Sequence, residues 1–172
     1  QLGKTPFVNK EKPTPVDEAL SIIYYLRYVY YDTIGELYTK IKKTFCDDSF
    51  LLNKDLIQLG FWPGGDRDGN PFVNVDITTR VAEELRIAIL KSYYSHLKFI
   101  RRRLSFRGVS EILQQLSADL YAAIFAGKSI SAEQIIEKAE EAANILVEKH
   151  NSLFLDLLIN FKDRVQIFGT HF

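Results

Sequence analysis

The sequence predicts a mainly α-helical fold of long helices, to which two short strands are added. Apolar residues recur at three- and four-residue intervals over most of the 172 residues, which is the spacing of amphipathic helices. Two short runs, residues 55–62 and 164–172, instead have the composition of β-strands and no neighbouring hairpin partner. They are therefore predicted to belong to a larger parallel sheet whose other strands lie outside this chain.

The first predicted helix covers residues 15–45. Thr14 can cap its amino end, Pro15 suits the first helical position, and Asp17 lies where the helix dipole favours an acidic side chain. The polar, proline-containing residues 1–13 are predicted to be an extended lead-in. Residues 46–53 are predicted to form a loop.

The rest of the chain is predicted to alternate helices with short connections. The strand over residues 55–62 leads into turn-forming residues 63–71, and Asp76 is predicted to cap a second long helix over residues 77–105. Ser131 and Gln134 form a capping-box pattern before the fourth helix. Three further helices are predicted over residues 110–126, 132–150 and 152–162, before the second strand at residues 164–172.

Composition excludes several classes of protein. The 22 basic and 22 acidic residues cancel, which argues against nucleic acid or an anionic membrane surface as the main partner. The single cysteine, Cys46, cannot form an internal disulfide. No apolar run approaches the roughly 20 residues that cross a bilayer, and residues 1–12 lack the apolar stretch of a signal peptide. We expect a cytoplasmic protein without a membrane or nucleic-acid partner.

The chain contains no methionine and begins with Gln1. Initiator methionine is rarely removed before a bulky residue, so the chain is expected to be an excised part of a longer protein. A function predicted from these residues therefore belongs to that longer protein.

The most informative segment is LGFWPGGDRDGNP, residues 59–71. Its glycines, Gly64 and Gly65, allow backbone amides to approach a ligand closely. The polar residues that follow supply two carboxylates, a guanidinium and an amide: Asp66, Asp68, Arg67 and Asn70. They could hold an anion through the guanidinium, with the carboxylates positioning it. A tight connector with an internal Asp–Arg pair explains the same composition, so both interpretations stay open.

Two other kinds of loop are excluded by residue type. A calcium-binding loop would need glycine where Pro71 stands and a bidentate glutamate where Ile77 stands. A Walker phosphate-binding loop would need a Gly-Lys-Ser/Thr sequence, which does not follow here.

Three stretches resemble the phosphoenolpyruvate carboxylase family. GGDRDGNP resembles that family's Trp-Met-Gly-Gly-Asp-Arg-Asp-Gly-Asn-Pro, with Pro63 in place of methionine. TPVDE at residues 14–18 resembles a Thr-Pro-Gln-Asp-Glu helix start. Residues 165–172 resemble the strand that precedes the family's Leu-Asp-Ile-Arg-Gln motif. Residues 110–149 match no motif.

The resemblance implies a segment of a large, mostly helical enzyme built around a β/α barrel, to which the two strands would belong. Such enzymes add bicarbonate to phosphoenolpyruvate with Mg²⁺ or Mn²⁺ and release oxaloacetate and phosphate. In this chain the resemblance implies a substrate-pocket wall formed by Trp62, Gly64, Gly65, Asp66, Arg67, Asp68 and Asn70.

The same resemblance places the essential histidine motifs and the metal-binding acidic pair outside this chain. It therefore implies that the chain holds no complete catalytic set, binds no metal alone, and is inactive by itself. The implied partners are phosphoenolpyruvate, bicarbonate and the remainder of the same polypeptide, in a parent enzyme that is a homo-oligomer.

The three histidines and the single cysteine do not form a predicted catalytic or metal site. His96 and His150 fall on helices, and His171 falls on the predicted final strand. No His, Cys or acidic cluster has metal-ligand spacing, and Cys46 has no activating cation nearby in sequence.

A basic run follows the second long helix: Lys98, Arg101, Arg102, Arg103 and Arg107. These cations complement the helix dipole, and an anion or effector site is the alternative. An aromatic stripe, Tyr24, Tyr25, Tyr28, Tyr30 and Tyr31, is predicted to pack against helices. If the chain is not part of an enzyme, this stripe favours a free-standing helical interaction module without catalytic activity.

Overall fold

The computed structural model describes residues 13–45 and 56–172. Residues 1–12 of the predicted lead-in lie outside the described residues, as does the predicted loop over residues 46–53 with Cys46. No helix in the described part is long and apolar enough to cross a membrane.

The described chain is mainly helical, which confirms the predicted class. Its helices are α1 (Pro15–Tyr25), α2 (Tyr31–Phe45), α3 (Val75–Arg101), α4 (Val109–Phe125), α5 (Ala132–Lys149) and α6 (Leu155–Phe168). A π-helical turn, Leu26–Tyr30, joins α1 to α2, so the long helix predicted over residues 15–45 is continuous and confirmed.

Local hydrogen bonds at the helix starts agree with two of the three predicted caps. Thr14 Oγ1 accepts from the Asp17 amide at 3.2 Å, and the Asp17 carboxylate accepts from the Thr14 amide at 3.0 Å. Ser131 and Gln134 form the same reciprocal box before α5. The third prediction, Asp76, is wrong. Asn74 caps α3 by accepting from the Ile77 amide at 2.9 Å, which starts the helix two residues earlier.

Helix α3 is the centre of the packing. It contacts α1, the π-helical turn, α4 and α6, while α4, α5 and α6 pack on one another in order along the chain. The main core lies between these helices and includes the fully buried side chains Tyr93, Leu97, Leu113, Leu120, Ile135, Leu146 and Phe161.

A second, smaller core joins α1 to α3. Its buried members are Ala19, Ile23, Leu26, Val81, Leu85 and Ala88. Leu59, Phe61 and Phe172 cover it from outside the two helices. This cluster therefore holds the residue 59–71 loop and the carboxyl-terminal end of the chain against the same pair of helices.

The predicted strand over residues 164–172 is wrong, because α6 continues to Phe168. The buried residues Leu158, Phe161, Val165 and Phe168 are three or four positions apart and form one helix face. Gly169, with φ +61°, ends the helix. The described residues of the other predicted strand, 56–62, form no strand either. A strand needs a neighbouring backbone to satisfy its amides, and no described segment offers one to either run.

Two charged side chains are buried next to each other on α6. The Arg164 guanidinium lies 5.6 Å from the Tyr31 ring centre and donates to the Asn160 carbonyl at 3.2 Å. It occupies the space that a side chain at Gly35 would fill. Asp163 forms an ion pair with Lys42 at 2.8 Å. These contacts tie α6 to α2.

His96 is enclosed between α3, α2 and α6. Its Nδ1 lies 3.0 Å from the Tyr31 hydroxyl, and its ring packs edge-on against Phe161. Burial, followed by the nearby Arg164 charge, lowers the pKa of His96 to about 4. The imidazole is therefore neutral at pH 7 and belongs to the core.

We expect His96 to make the fold sensitive to acid. Its pKa of about 4 in the folded protein is below its ordinary value of 6.5, so its contribution to stability is complete above pH 6.5 and decreases as the pH falls towards 4. The free energy of unfolding should lose about 2 kcal/mol from this group between pH 8 and pH 4.5. Urea unfolding across this range measures the loss.

The matched comparison uses two histidine variants. His96→Phe should remove this part of the pH dependence, while His150→Gln should keep it because that ring lies outside the main core, stacked on Phe106. An unchanged pH dependence in His96→Phe would contradict the assignment.

Candidate functional site

The residue 59–71 loop is a series of tight turns that leads into α3. Its backbone hydrogen bonds join Gly65 N–H to Trp62 O at 2.9 Å, Arg67 N–H to Gly65 O at 3.0 Å, Asn70 N–H to Asp66 O at 3.0 Å, and Val73 N–H to Asn70 O at 3.0 Å. These bonds satisfy the loop's backbone without a sheet partner and give the exposed side chains a defined scaffold.

Gly64 anchors the loop to α3. Its φ of +79° is a conformation that other residues adopt with strain, and a Cβ there would lie 2.8 Å from the Val81 side chain. Its carbonyl accepts from Thr78 Oγ1 at 2.7 Å. Gly64 is therefore required for backbone geometry and close packing.

Asp66 and Asn70 shape the loop with their side chains. Asp66 Oδ1 accepts from the Gly69 amide at 3.2 Å, and Asn70 Oδ1 accepts from the Phe72 amide at 3.1 Å. Such bonds are typical of Asx turns. These two side chains therefore hold the loop in its observed conformation.

Arg67, Asp68 and Trp62 instead point into solvent. Trp62 is 72% exposed, and Arg67 and Asp68 are exposed as well. In the structure's two described ranges, Arg67 forms no ion pair with Asp66 or Asp68. The internal Asp–Arg pair that both interpretations of the loop assumed is therefore not formed, and the Arg67 guanidinium is available to an anion.

A cleft of about 370 Å³ lies between this loop and the start of α1, and we call it the amino-terminal cleft. It is lined by Pro13, Thr14, Pro15, Glu18, Asn70, Phe72 and Ile77. Two of the three stretches that resemble the carboxylase family, TPVDE and GGDRDGNP, meet at this cleft. Residue spacing could not predict that meeting, because the two stretches are far apart in the chain.

Sequence reasoning missed Phe72 as a member of this region. Its side chain is 67% exposed although it is strongly apolar, and it lies directly after the turn that ends at Pro71. An aromatic residue in a turn-forming stretch was the available sequence signal.

The third resembling stretch lies near the same loop. Phe172 packs on the smaller core together with Leu59 and Phe61, and the Tyr93 hydroxyl donates to the Gly169 carbonyl at 2.6 Å. The end of the chain is therefore held close to the start of the loop, although neither segment is a strand.

The described residues do not form a metal site. Within residues 13–45 and 56–172, no three His, Cys, Asp or Glu side chains are grouped so that they could hold a metal ion. His150 lies 3.4 Å from the Arg107 carbonyl, and His171 lies beside Thr170 at 3.3 Å. A divalent metal does not fit the side chains described here.

Comparisons with known proteins agree with the resemblance. A family model described as phosphoenolpyruvate carboxylase matches residues 1–171. A protein of that name from Nicotiana tabacum is 29% identical over 122 residues, which cover 69% of this chain and 13% of the relative. One from Trichormus variabilis is 33% identical over 105 residues, which cover 59% and 10%.

A relative of the same name from Nitrosomonas europaea is 30% identical over 139 residues, covering 79% of this chain and 15% of the relative. The chain therefore spans only 10% to 15% of the length of these curated relatives. No solved structure matches the chain significantly.

Proposed function

Because the chain belongs to the phosphoenolpyruvate carboxylase family, we propose that it is a segment of an enzyme that adds bicarbonate to phosphoenolpyruvate and releases oxaloacetate and phosphate. The longer enzyme is mostly helical and built around a β/α barrel. This segment supplies a helical scaffold and a wall of the substrate pocket formed by Trp62, Gly64, Gly65, Asp66, Arg67, Asp68 and Asn70.

The observation that supports this role best is that some residues of the loop anchor it, while Arg67 stays exposed. Gly64 is bound to α3 through Thr78, and the Asp66 carboxylate closes the turn that contains Gly69. Arg67, between these anchors, has no ion-pair partner among the described residues. A rigid turn that presents an unpaired guanidinium is suited to an anionic substrate.

Phosphoenolpyruvate offers a phosphate and a carboxylate to such a guanidinium. Two parallel N–H···O bonds would orient the bound anion, and the fixed positive charge would stabilise negative charge that develops during the reaction. Trp62 would cover an apolar part of the substrate and exclude water. The Mg²⁺ or Mn²⁺ that the family requires would be held by other parts of the enzyme.

The exposed tyrosines of α1 and the π-helical turn fit the same proposal. Tyr24, Tyr25 and Tyr28 are 58%, 56% and 59% exposed, which is unusual for large aromatic side chains on one short segment. We propose that the remainder of the polypeptide covers them, in a cytoplasmic homo-oligomer. A free-standing interaction module would expose the same face, but it does not account for the family match over residues 1–171.

The proposed function is tested by assaying the full-length protein beside the 172-residue chain. Oxaloacetate formation is followed through malate dehydrogenase and NADH oxidation, with saturating bicarbonate and Mg²⁺. The full-length protein should form oxaloacetate, and the chain alone should not, because the family's histidine motifs are absent from it. A folded full-length protein that forms none would refute the proposal, while activity of the pure chain would refute the assignment of the catalytic set to other segments.

Trp62→Ala in the full-length protein should raise the Michaelis constant for phosphoenolpyruvate about three- to tenfold and leave kcat almost unchanged, because it removes an apolar wall and no charge. Steady-state kinetics at varied phosphoenolpyruvate measures both constants. Phe99→Ala is the matched control, since that ring is also exposed but lies near the end of α3. Equal effects of the two variants would count against a pocket role for Trp62.

A further inference from the structure

A second cleft, of about 330 Å³, lies between the end of α3 and the start of α4. Three cations, Lys98, Arg101 and Arg102, line it together with the hydroxyls of Ser105 and Ser110. We call it the cationic cleft. None of the described residues that line it is acidic, although the chain as a whole has no net charge.

The ion pairs of the described residues do not include the cations of this cleft. Among the residues that the structure describes, Lys98, Arg101 and Arg102 form no salt bridge. Lys98 contacts the Tyr94 ring at 5.5 Å. Elsewhere in the described chain, Lys42, Arg86, Lys138 and Lys162 each have a carboxylate within 3.1 Å.

The carboxylate nearest in sequence is already engaged. Glu111 accepts from the Gly108 amide at 2.7 Å and from the Ser110 hydroxyl at 3.0 Å. A hydrogen bond with its own backbone, followed by those from Ser110 and Gly108, lowers the pKa of Glu111, which keeps it ionised at the amino end of α4. One fixed carboxylate beside the cleft leaves most of the charge of the three cations uncompensated.

The backbone that carries the cations is well defined. Leu104 is fully buried and forms the apolar floor. The amides of Arg103 and Leu104 both donate to the Ile100 carbonyl, at 2.9 Å and 3.0 Å. Arg103 itself lies over the Phe99 ring at 3.7 Å and is not part of the cleft. The dipole of α3 explains cations in its last turn, but it does not explain why these cations line a concave cleft between two helices.

We propose that the cationic cleft binds the phosphate group of a small molecule. Two guanidiniums and an ammonium can approach different oxygens of a tetrahedral dianion, whereas a lone carboxylate would engage one of them. The volume is near the lower end of ligand pockets, about 300–1,000 Å³, which suits phosphate with a few attached heavy atoms. The site shares no residue with the residue 59–71 loop, so it stands whether or not the proposed function does.

The test is isothermal titration of the 172-residue chain with inorganic phosphate and with β-glycerophosphate, in potassium chloride buffer of constant ionic strength. Circular dichroism first verifies that each protein is folded and melts cooperatively. We expect saturable binding with a millimolar dissociation constant, and at least a tenfold loss, about 1.4 kcal/mol, in Arg101→Ala/Arg102→Ala. Tighter binding of β-glycerophosphate would identify an organic phosphate, and tighter binding of inorganic phosphate would identify the free ion.

Two control variants separate a site from general charge. Lys40→Ala/Lys149→Ala removes the same charge from exposed positions on α2 and α5 and should bind like the unaltered chain. Arg101→Lys/Arg102→Lys keeps the charge but should bind more weakly, because lysine lacks the planar fork. The proposal is overturned if neither probe binds saturably, if the exposed-lysine variant loses as much affinity, or if the lysine replacements at 101 and 102 bind normally.

Discussion

Replacing Arg67 by alanine in the full-length protein should lower kcat/KM for phosphoenolpyruvate about 30- to 900-fold, or about 2–4 kcal/mol of transition-state stabilisation. The physical reason is that Arg67 is exposed at the top of a rigid turn and has no ion-pair partner among the described residues. The positive charge and the N–H donors of its guanidinium are therefore available to an anion. Steady-state kinetics with saturating bicarbonate and Mg²⁺ measures the loss.

The comparison with lysine decides how Arg67 acts. Arg67→Lys keeps the charge but cannot form two parallel hydrogen bonds, so it should recover only part of the activity. Lys138→Ala is the control, because its ion pair with Glu141 is exposed and far along the chain, and it should cost almost nothing. If Arg67→Ala keeps normal kcat/KM and normal thermal stability, the loop is a connector, and the pocket assignment is wrong even though the family is right.

Gly64→Ala should reduce the free energy of unfolding by about 2–4 kcal/mol, which urea denaturation of the chain measures. Two causes add: the new Cβ would lie 2.8 Å from Val81 on α3, and alanine would be strained at φ +79°. In the full-length protein the same change should also displace Arg67, which lies three residues further on.

Gly60→Ala is the matched control for this effect. A Cβ at Gly60 meets no described atom within 4 Å, so that variant should keep nearly full stability. Combining Gly64→Ala with Val81→Ala should cost less than the sum of the two single changes, because the smaller side chain relieves the overlap. Equal stability of the Gly60 and Gly64 variants would show that the loop adapts and that Gly64 is not an anchor.

The helices were predictable because their determinants are local. Thr14 and Ser131 form the capping boxes that their neighbours in sequence indicate, and the long helix continues from Pro15 to Phe45 through its π-helical turn. Asp76 is predicted as the cap of α3, whereas Asn74 forms it, and both residue types can accept the same hydrogen bond. Only the geometry of the preceding turn selects between them.

The strands were mispredicted because strand formation is not local. Residues 164–167 alternate polar with β-branched side chains, yet Val165 and Phe168 continue the helical spacing set by Leu158 and Phe161. In a helix the backbone satisfies its own hydrogen bonds, whereas in a strand it depends on a partner. The helix is therefore the form that this stretch adopts where no partner strand is present.

The sequence alone determined the helical class and the resemblance of GGDRDGNP to a known family. It also determined which residue types are available to bind an anion. The tertiary structure decided which of them are free: it uses Asp66 to close a turn and leaves Arg67 exposed. It also brought Thr14 and Asn70 to one cleft and buried His96 against Tyr31. Residue type and spacing determine what a side chain can do, but burial and charge depend on neighbours that only folding brings within contact distance.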